Sequence, residues 1–181
     1  MNSLRPKGAI IVGIGANLAS PEHGAPGDAC IAAVQALAEA GLTVIQQSPW
    51  YESAPVPVSD QPWYVNGVIE VQTSLSPKDL MGLLAATEQR FGRIRTVRNE
   101  ARVLDLDLIA YGERVETGDG EETQALVIPH PRLHQRAFVL LPLADIAPDW
   151  VHPVSQEPLA TLTARLDPAQ VIRPLESPPM P

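Results

Sequence analysis

Residues 102–109, Arg-Val-Leu-Asp-Leu-Asp-Leu-Ile, alternate apolar and acidic side chains, which is typical of a β-strand buried on one face. Side chains two residues apart on a strand point to the same side. We therefore expect the three leucines to face a core, while Asp105 and Asp107 lie side by side on the other face. Neighbouring carboxylates repel each other unless a cation lies between them, and Mg²⁺ commonly takes one or two carboxylates together with water and phosphates. A solvated acidic face of an amphipathic strand is the alternative, and the alternation alone does not separate the two.

Positive charge is concentrated directly before this strand. The chain has a formal net charge of −8, with 13 Lys and Arg against 21 Asp and Glu, yet five arginines fall between residues 90 and 102: Arg90, Arg93, Arg95, Arg98 and Arg102. The planar guanidinium binds phosphate through two parallel hydrogen bonds. An arginine-rich segment leading into a carboxylate pair is what a magnesium-bound polyphosphate requires. A solvated basic loop explains each arginine singly but not their position beside the acids.

Length and composition restrict the class of protein. With 181 residues, 45% of them hydrophobic, the chain can form one domain with a sizeable core. No apolar run approaches the roughly 20 residues of a membrane span, and the N-terminus does not resemble a secretory signal. The single cysteine, Cys30, cannot form an intramolecular disulfide. We therefore expect a cytoplasmic protein that does not bind nucleic acid or membranes, while a local arginine cluster still permits an anionic small molecule.

The hydrophobic periodicity predicts the element order strand, helix, strand, strand, helix, strand. The predicted strands cover residues 9–18, 42–50, 63–74 and 102–109, and the predicted helices cover residues 29–40 and 78–91. This βαββαβ order predicts a ferredoxin-like α+β domain, in which helices cover one face of an antiparallel sheet and the other face is left to loops and ligand.

Further elements follow toward the C-terminus. Residues 137–146 and 159–166 are predicted to form extra helices. The expected organisation is an N-terminal segment at residues 1–8, a domain at residues 9–166 and a Pro-rich tail at residues 167–181, for which we expect disorder.

Two histidines lie in a second basic loop. His130 and His134 are four residues apart, a spacing that places two ligands on one metal in a helix, but the flanking prolines disfavour a regular helix here. Contact with phosphate beside Arg132 and Arg136 is a second interpretation, and a loop histidine bonded to the backbone is a third.

Aromatic side chains are scarce, at 4% of the chain, so Tyr64 and Phe138 are notable. Their usual role is core packing. Asn66 follows Tyr64 at strand spacing and shares its face. Because a buried asparagine needs hydrogen-bond partners, a polar heterocycle is a candidate ligand on this face.

Together these residues resemble the 6-hydroxymethyl-7,8-dihydropterin pyrophosphokinase family of folate biosynthesis, from about residue 9 to about residue 166. The resemblance is carried by Gly15-Ala16-Asn17-Leu18, by Asp60-Gln61-Pro62 with Tyr64-Val65-Asn66, by Gly92-Arg93, by Arg102-Val103-Leu104-Asp105-Leu106-Asp107, and by Pro129-His130-Pro131-Arg132 with Arg136-Ala137-Phe138. The Arg-x-x-Asp-Leu-Asp segment is the most specific of these motifs.

The resemblance implies a kinase that transfers the diphosphoryl group of ATP to the hydroxymethyl oxygen of the reduced pterin and leaves AMP. It implies ATP as co-substrate, two Mg²⁺ ions and action as a monomer. The implied catalytic residues are Arg93, Arg102, Asp105 and Asp107, with both aspartates as metal ligands; the implied ATP contacts are Glu88, Arg95, Leu108, His130 and Arg136; and the implied pterin contacts are Ser53, Tyr64, Asn66 and Phe138.

The chain departs from the family in the basic loop. Some members carry Arg-Trp-Gly-Pro-Arg where residues 98–102 read Arg-Asn-Glu-Ala-Arg, so an aromatic that can seal the pterin site is missing and Glu100 adds a negative charge. Two other functions remain open. A non-catalytic ferredoxin-like ligand-binding regulatory module would leave the aspartates solvated. Another two-metal enzyme, such as a nucleotidyltransferase or phosphatase, would not account for Tyr64, Asn66 and Phe138.

Overall fold

A computed structural model of the chain describes residues 8–92, 101–118 and 126–176. Its elements are β1 (Ile10–Ala16), α1 (Pro26–Glu39), β2 (Thr43–Gln47), β3 (Tyr51–Ser53), β4 (Tyr64–Gln72), α2 (Pro77–Arg90), β5 (Asp105–Tyr111), β6 (Glu116–Thr117), β7 (Val127–Ile128), α3 (Ala137–Ile146), α4 (Leu159–Ala164) and β8 (Ile172–Pro174). A short 3-10 helix at Leu133–Gln135 precedes α3. All six elements predicted before residue 110 are present; β2 falls within the predicted second strand, residues 42–50, whereas β3 is a further short strand that was not predicted.

The strands form an antiparallel sheet with the order β5-β1-β4-β3-β8, and β2 also pairs with β4. β6 and β7 form a separate two-stranded sheet. The α+β class with an antiparallel sheet is therefore confirmed. The strand order is more complex than a four-stranded sheet, because β2 and β3 lie along the same side of β4. Pro49 separates them, and its missing N–H prevents one continuous ladder.

Both faces of the sheet are covered by helices. On one face, α1 and α2 pack over a core that includes all three leucines of the acidic strand, Leu104, Leu106 and Leu108. On the other face, Ile11 and Val68 pack with the side chains of α3 and α4. The expectation that helices cover one face only is therefore wrong. Apolar side chains on both sides of β1, β4 and β5 require a second covering layer, which α3 supplies with its largely apolar sequence.

Local sequence signals account for the two helices of the first layer. Ser76 accepts a hydrogen bond from the N–H of Asp79, and Pro77 occupies the first turn of α2, as expected of a capped start. In α1 the N-cap is Ala25, and Asp28, three residues further on, accepts a hydrogen bond from the Ala25 N–H at 3.2 Å.

Residues 172–174, within the segment predicted to be a disordered tail, form β8 and are ordered by the sheet. β8 pairs antiparallel with β3, and the N–H of Leu175 donates to the carbonyl of Trp50 at 2.8 Å. The free edge of β3 explains this order, since an unpaired strand edge accepts another strand. The boundaries at residues 8 and 166 remain predictions. Within the described ranges, no helix is both long enough and apolar enough to cross a membrane.

Candidate active site

A pocket of about 160 Å³ opens where the ends of β1, β4 and β5 meet the start of α3 and the loop after β3. Seven of the predicted site residues line it: Ser53, Tyr64, Asn66, Arg102, Asp105, Arg136 and Phe138. The remaining lining comes from Gly15, Gln61, Ser59 and residues 54–57. Residues that are widely separated in sequence, and were selected for two different ligands, therefore share one cavity.

The buried end of the pocket carries an oriented amide. Asn66 and Ser53 are 5% and 4% exposed, and the Asn66 Nδ2 donates a hydrogen bond to the Ser53 Oγ at 2.7 Å. Gly15 lies opposite Asn66 in the β1–β4 pairing, and a Cβ at Gly15 would stand only 3.1 Å from the Asn66 Oδ1. The missing side chain at Gly15 therefore leaves room around this amide.

The acidic pair lies on the face that its alternation predicted. Asp105 pairs across the strand with Gly15, and Asp107 pairs with Gly13. Because both cross-strand partners are glycines, the strand beside the carboxylates places no side chain over them. Asp105 and Asp107 retain 24% and 38% side-chain exposure, so both carboxylates can reach solvent.

Each carboxylate already faces a cation. The Arg102 Nη1 donates to the Asp105 Oδ1 at 2.7 Å, and the Arg136 Nη1 lies 3.6 Å from the Asp107 Oδ2. The Arg136 guanidinium also lies 5.3 Å from the centre of the Phe138 ring. Burial lowers the pKa of Arg136, while Asp107 opposes that shift. Arg136 thus lies between the carboxylates and one aromatic wall of the pocket.

His130 lies beside Asp107 and carries an uncharged ring that can donate a hydrogen bond. Burial and the nearby Arg136 and Arg132 lower its pKa to about 4, so the ring is uncharged at neutral pH. The Arg132 N–H donates to the His130 Nδ1 at 3.1 Å, and the Arg136 Nη1 lies 3.5 Å from Nε2. We assign the ring proton to Nε2, because the contact at Nδ1 is the shorter hydrogen bond. Nε2 lies 4.0 Å from the Asp107 Oδ2. His130 and Arg136 therefore present N–H groups to the same position, as an anion site requires.

Other predicted residues lie elsewhere. Glu88 is 2% exposed, and its Oε1 accepts from the N–H of Leu106 at 2.7 Å, which ties α2 to the acidic strand. Leu108 is 6% exposed and packs in the core. Arg93 and Arg95 lie outside the described residues. His134 lies in the 3-10 helix and His130 in the loop before it, and the described ranges contain no group of three or more His, Cys, Asp or Glu side chains placed to hold a metal.

Asn17 connects the segments around the pocket, although it was not among the predicted site residues. Its side chain is 2% exposed; Oδ1 accepts from the Arg102 N–H at 2.7 Å, and Nδ2 donates to the Pro62 carbonyl at 3.1 Å and the Gln61 Oε1 at 3.3 Å. The Tyr64 hydroxyl donates to the same Gln61 oxygen at 3.2 Å. The only signal was its place in the Gly-Ala-Asn-Leu motif.

Comparison with known proteins identifies the relatives of this chain. Residues 11–148 match the family described as 7,8-dihydro-6-hydroxymethylpterin-pyrophosphokinase (HPPK). The 2-amino-4-hydroxy-6-hydroxymethyldihydropteridine pyrophosphokinase of Synechocystis sp. is 43% identical over 157 residues, which cover 87% of this chain and 75% of that protein. The Pseudomonas aeruginosa protein of the same name is 41% identical over 140 residues, covering 77% of this chain and 81% of that protein.

A solved structure shares the fold. The crystal structure of Plasmodium falciparum HPPK-DHPS wild type with SDX-DHP superposes with a TM-score of 0.63 at 13% sequence identity. The match covers 88% of this chain and 43% of that longer chain. At this identity the likeness shows a common fold and nothing further.

Proposed function

Because this chain belongs to the 7,8-dihydro-6-hydroxymethylpterin-pyrophosphokinase family, we propose that its pocket transfers the diphosphoryl group of ATP to 6-hydroxymethyl-7,8-dihydropterin, with AMP as the second product. The chain is a pterin pyrophosphokinase of folate synthesis. The observation that carries the proposed site is that Tyr64, Asn66 and Phe138 share one pocket with Arg102 and Asp105. A ligand-binding module without catalysis has no need of that combination.

The pterin occupies the end of the pocket at Ser53 and Asn66. The hydrogen bond between these two side chains fixes the Asn66 amide, so its oxygen and remaining N–H can recognise the polar edge of a flat heterocycle. Tyr64 and Phe138 supply the aromatic surfaces for the two pterin faces. Gly15 keeps the neighbouring strand out of this space.

The triphosphate of ATP lies over the acidic strand. Carboxylates on one strand face, open to solvent and beside glycines, are suitable oxygen ligands for Mg²⁺, which keeps water and phosphate in the rest of its shell. Asp105 and Asp107 would hold two such ions. Bound there, Mg²⁺ would polarise the phosphates and lower the pKa of the attacking hydroxyl.

The cations around the aspartates act on the phosphates. Arg102 and Arg136 already neutralise the two carboxylates, and the same guanidiniums lie within reach of a phosphate bound above them. Together with the Nε2–H of His130 they offset negative charge as the hydroxymethyl oxygen bonds to the β-phosphorus and the bond to AMP breaks. These donors are held by the fold beforehand, so little reorganisation is needed during the reaction.

Several finer assignments belong to the same proposal. Arg93 and Arg95 add ATP contacts from the basic loop, and Leu108 and Glu88 act near the nucleotide. The Glu88–Leu106 hydrogen bond supports an indirect role for Glu88, through the position of β5. The strand order β5-β1-β4, with β2 and β3 next to β4, supports a ferredoxin-like core, and we expect a cytoplasmic monomer.

The test is product analysis with matched variants. We expect AMP from ATP and Mg²⁺ only when 6-hydroxymethyl-7,8-dihydropterin is present. Asp107→Asn should lower kcat by at least about a hundredfold and weaken Mn²⁺ binding measured by electron paramagnetic resonance. Asp149→Asn, at an exposed aspartate between α3 and α4, is the control and should leave both unchanged. ADP as product, or turnover that is indifferent to the pterin, would contradict the proposal.

A further inference from the structure

We propose that Gln170 is a positioning residue for the pocket, because its side-chain amide fixes the backbone on both sides of Arg136. The Gln170 Oε1 accepts a hydrogen bond from the Ala137 N–H at 3.0 Å. The Gln170 Nε2 donates to the Gln135 carbonyl at 2.9 Å. Gln170 lies beyond residues 11–148, the part of the chain that matches the family. The inference rests on the proposed function, since Arg136 and Phe138 are assigned there.

The start of α3 needs an acceptor from elsewhere. The first N–H groups of a helix have no partner within the helix, and the residue at the N-cap usually supplies one. Here the N-cap is Arg136, which makes no side-chain cap and instead directs its guanidinium toward Asp107 and the Phe138 ring. Gln170 supplies the missing acceptor to Ala137, the first residue of the helix. The side chain of Arg136 is thereby free for the pocket while its backbone stays fixed.

Gln170 is itself held by a local turn. The Asp167 side chain accepts from the Ala169 N–H at 2.9 Å, and the Asp167 carbonyl accepts from the Gln170 N–H at 3.1 Å. This turn presents the Gln170 side chain to the start of α3 from a half-buried position. The turn at residues 167–170 therefore holds the Gln170 side chain in the position from which it makes both hydrogen bonds.

The same segment also holds the opposite wall of the pocket. The carbonyl of Val171 accepts from the N–H of Ala54, a pocket-lining residue, at 3.0 Å. In β8, the Arg173 Nη2 contacts the Glu52 Oε2 at 2.8 Å, and the Arg173 guanidinium lies 5.0 Å from the centre of the Trp63 ring. Residues 170–173 thus join the loop after β3 to the start of α3, between which the pterin would lie.

The test compares three variants. Gln170→Ala removes both hydrogen bonds. Gln170→Glu keeps an acceptor for Ala137 but loses the donor to Gln135. Gln35→Ala, at an exposed position on α1 on the opposite side of the sheet, is the control. Three quantities are measured for each: hydrogen exchange of the Ala137 amide by NMR in the ligand-free chain, KM and kcat for pterin and ATP, and the melting temperature.

In Gln170→Ala we expect exchange at Ala137 to accelerate at least about tenfold and KM for the pterin to rise about fivefold, the effect of losing one or two hydrogen bonds. We expect kcat to fall as well, because Arg136 is among the groups that offset charge on the phosphates. Gln170→Glu should retain most of the protection at Ala137 and an intermediate KM, and Gln35→Ala should match wild type. Unchanged KM in a folded Gln170→Ala, with only a lower melting temperature, would overturn the positioning role; so would unchanged exchange at Ala137. If Gln170→Ala does not fold, Gln170→Glu decides, and a wild-type KM there overturns the role. Exchange needs no turnover, so absence of AMP formation by wild type would contradict the proposed function separately.

Discussion

The side-chain oxygen of Asn17 accepts a hydrogen bond from the backbone N–H of Arg102 at 2.7 Å, across 85 positions of sequence. The Arg102 carbonyl in turn accepts from the N–H groups of Asn17 and Leu18, at 2.9 and 3.1 Å. Because the Asn17 amide also donates to the Pro62 carbonyl, one buried side chain joins the end of β1, the entry to the acidic strand and the loop before Tyr64. The positions of Arg102 and Tyr64 in the pocket are thus coupled.

Replacing Asn17 should therefore damage stability and substrate binding together. In Asn17→Ala the N–H of Arg102 and the carbonyl of Pro62 each lose a partly buried hydrogen bond, which should lower the free energy of unfolding by about 1–2 kcal/mol. The KM for the pterin should rise as well, because the loop at Pro62 is released. Urea unfolding and steady-state kinetics measure the two effects, with Gln47→Ala at an exposed strand end as control. A wild-type KM in a destabilised Asn17→Ala would show that the coupling does not exist.

Two glycines of the central strands should give opposite outcomes when changed to alanine. A Cβ at Gly67 would come within 2.7 Å of the Trp50 ring, so Gly67→Ala should lower the free energy of unfolding by about 1–3 kcal/mol. A Cβ at Gly15 would meet the Asn66 Oδ1 at 3.1 Å, so Gly15→Ala should chiefly raise the KM for the pterin. Each variant is the other's control in unfolding and kinetic measurements. Equal effects on KM would refute the assignment of Asn66 to the pterin.

The acidic strand shows why part of this structure could be read from sequence. Its alternation required one apolar and one acidic face, and the leucines and aspartates of β5 lie accordingly. The start of α2 is likewise determined by adjacent residues, because a serine followed by a proline favours a capped first turn. Such features depend on neighbouring residues only, and both the fold class and seven of the fourteen residues that line the pocket followed from them or from the resemblance.

The features that were missed depend on distant contacts. The Pro-rich composition of the C-terminal segment does not predict that β8 pairs with β3. The strand edge that stabilises β8 belongs to β3, and the contacting residues Glu52 and Arg173 are 121 positions apart. Likewise, the position of α3 on the second face of the sheet depends on its contacts with β4, which lies more than 60 residues earlier in the chain. The roles of Asn17 and Gln170 arise from hydrogen bonds that no local pattern reports.

Glu88 offers a test of indirect support for the acidic strand. Glu88→Ala removes the acceptor for the buried Leu106 N–H, which should lower the free energy of unfolding by about 2 kcal/mol and weaken Mn²⁺ binding at the neighbouring aspartates. Glu88→Gln keeps an oxygen acceptor and should retain most of both properties. Thermal unfolding and Mn²⁺ titration distinguish the variants. If Glu88→Gln instead raised the KM for ATP strongly with stability unchanged, direct contact with the nucleotide would be the better account.

His130 should make stability depend on pH in a defined window. Burial, Arg136 and Arg132 lower its folded-state pKa to about 4 from an ordinary value of 6.5. As the pH falls below 6.5, the unfolded chain takes up a proton at this residue before the folded chain does, so the free energy of unfolding decreases until about pH 4. The full decrease from this residue is roughly 3 kcal/mol.

The measurement is urea unfolding of wild type and His130→Gln from pH 7.5 to 4. We expect the difference in free energy of unfolding between the two proteins to shift by a sizeable part of that amount across the window, with wild type losing more as the pH falls. Gln47→Ala, which changes no titratable group at the exposed end of β2, is the control, and its pH dependence should follow wild type. Parallel curves for wild type and His130→Gln would mean that His130 is not held neutral. The assignment of its Nε2–H as a donor to phosphate would then have to be withdrawn.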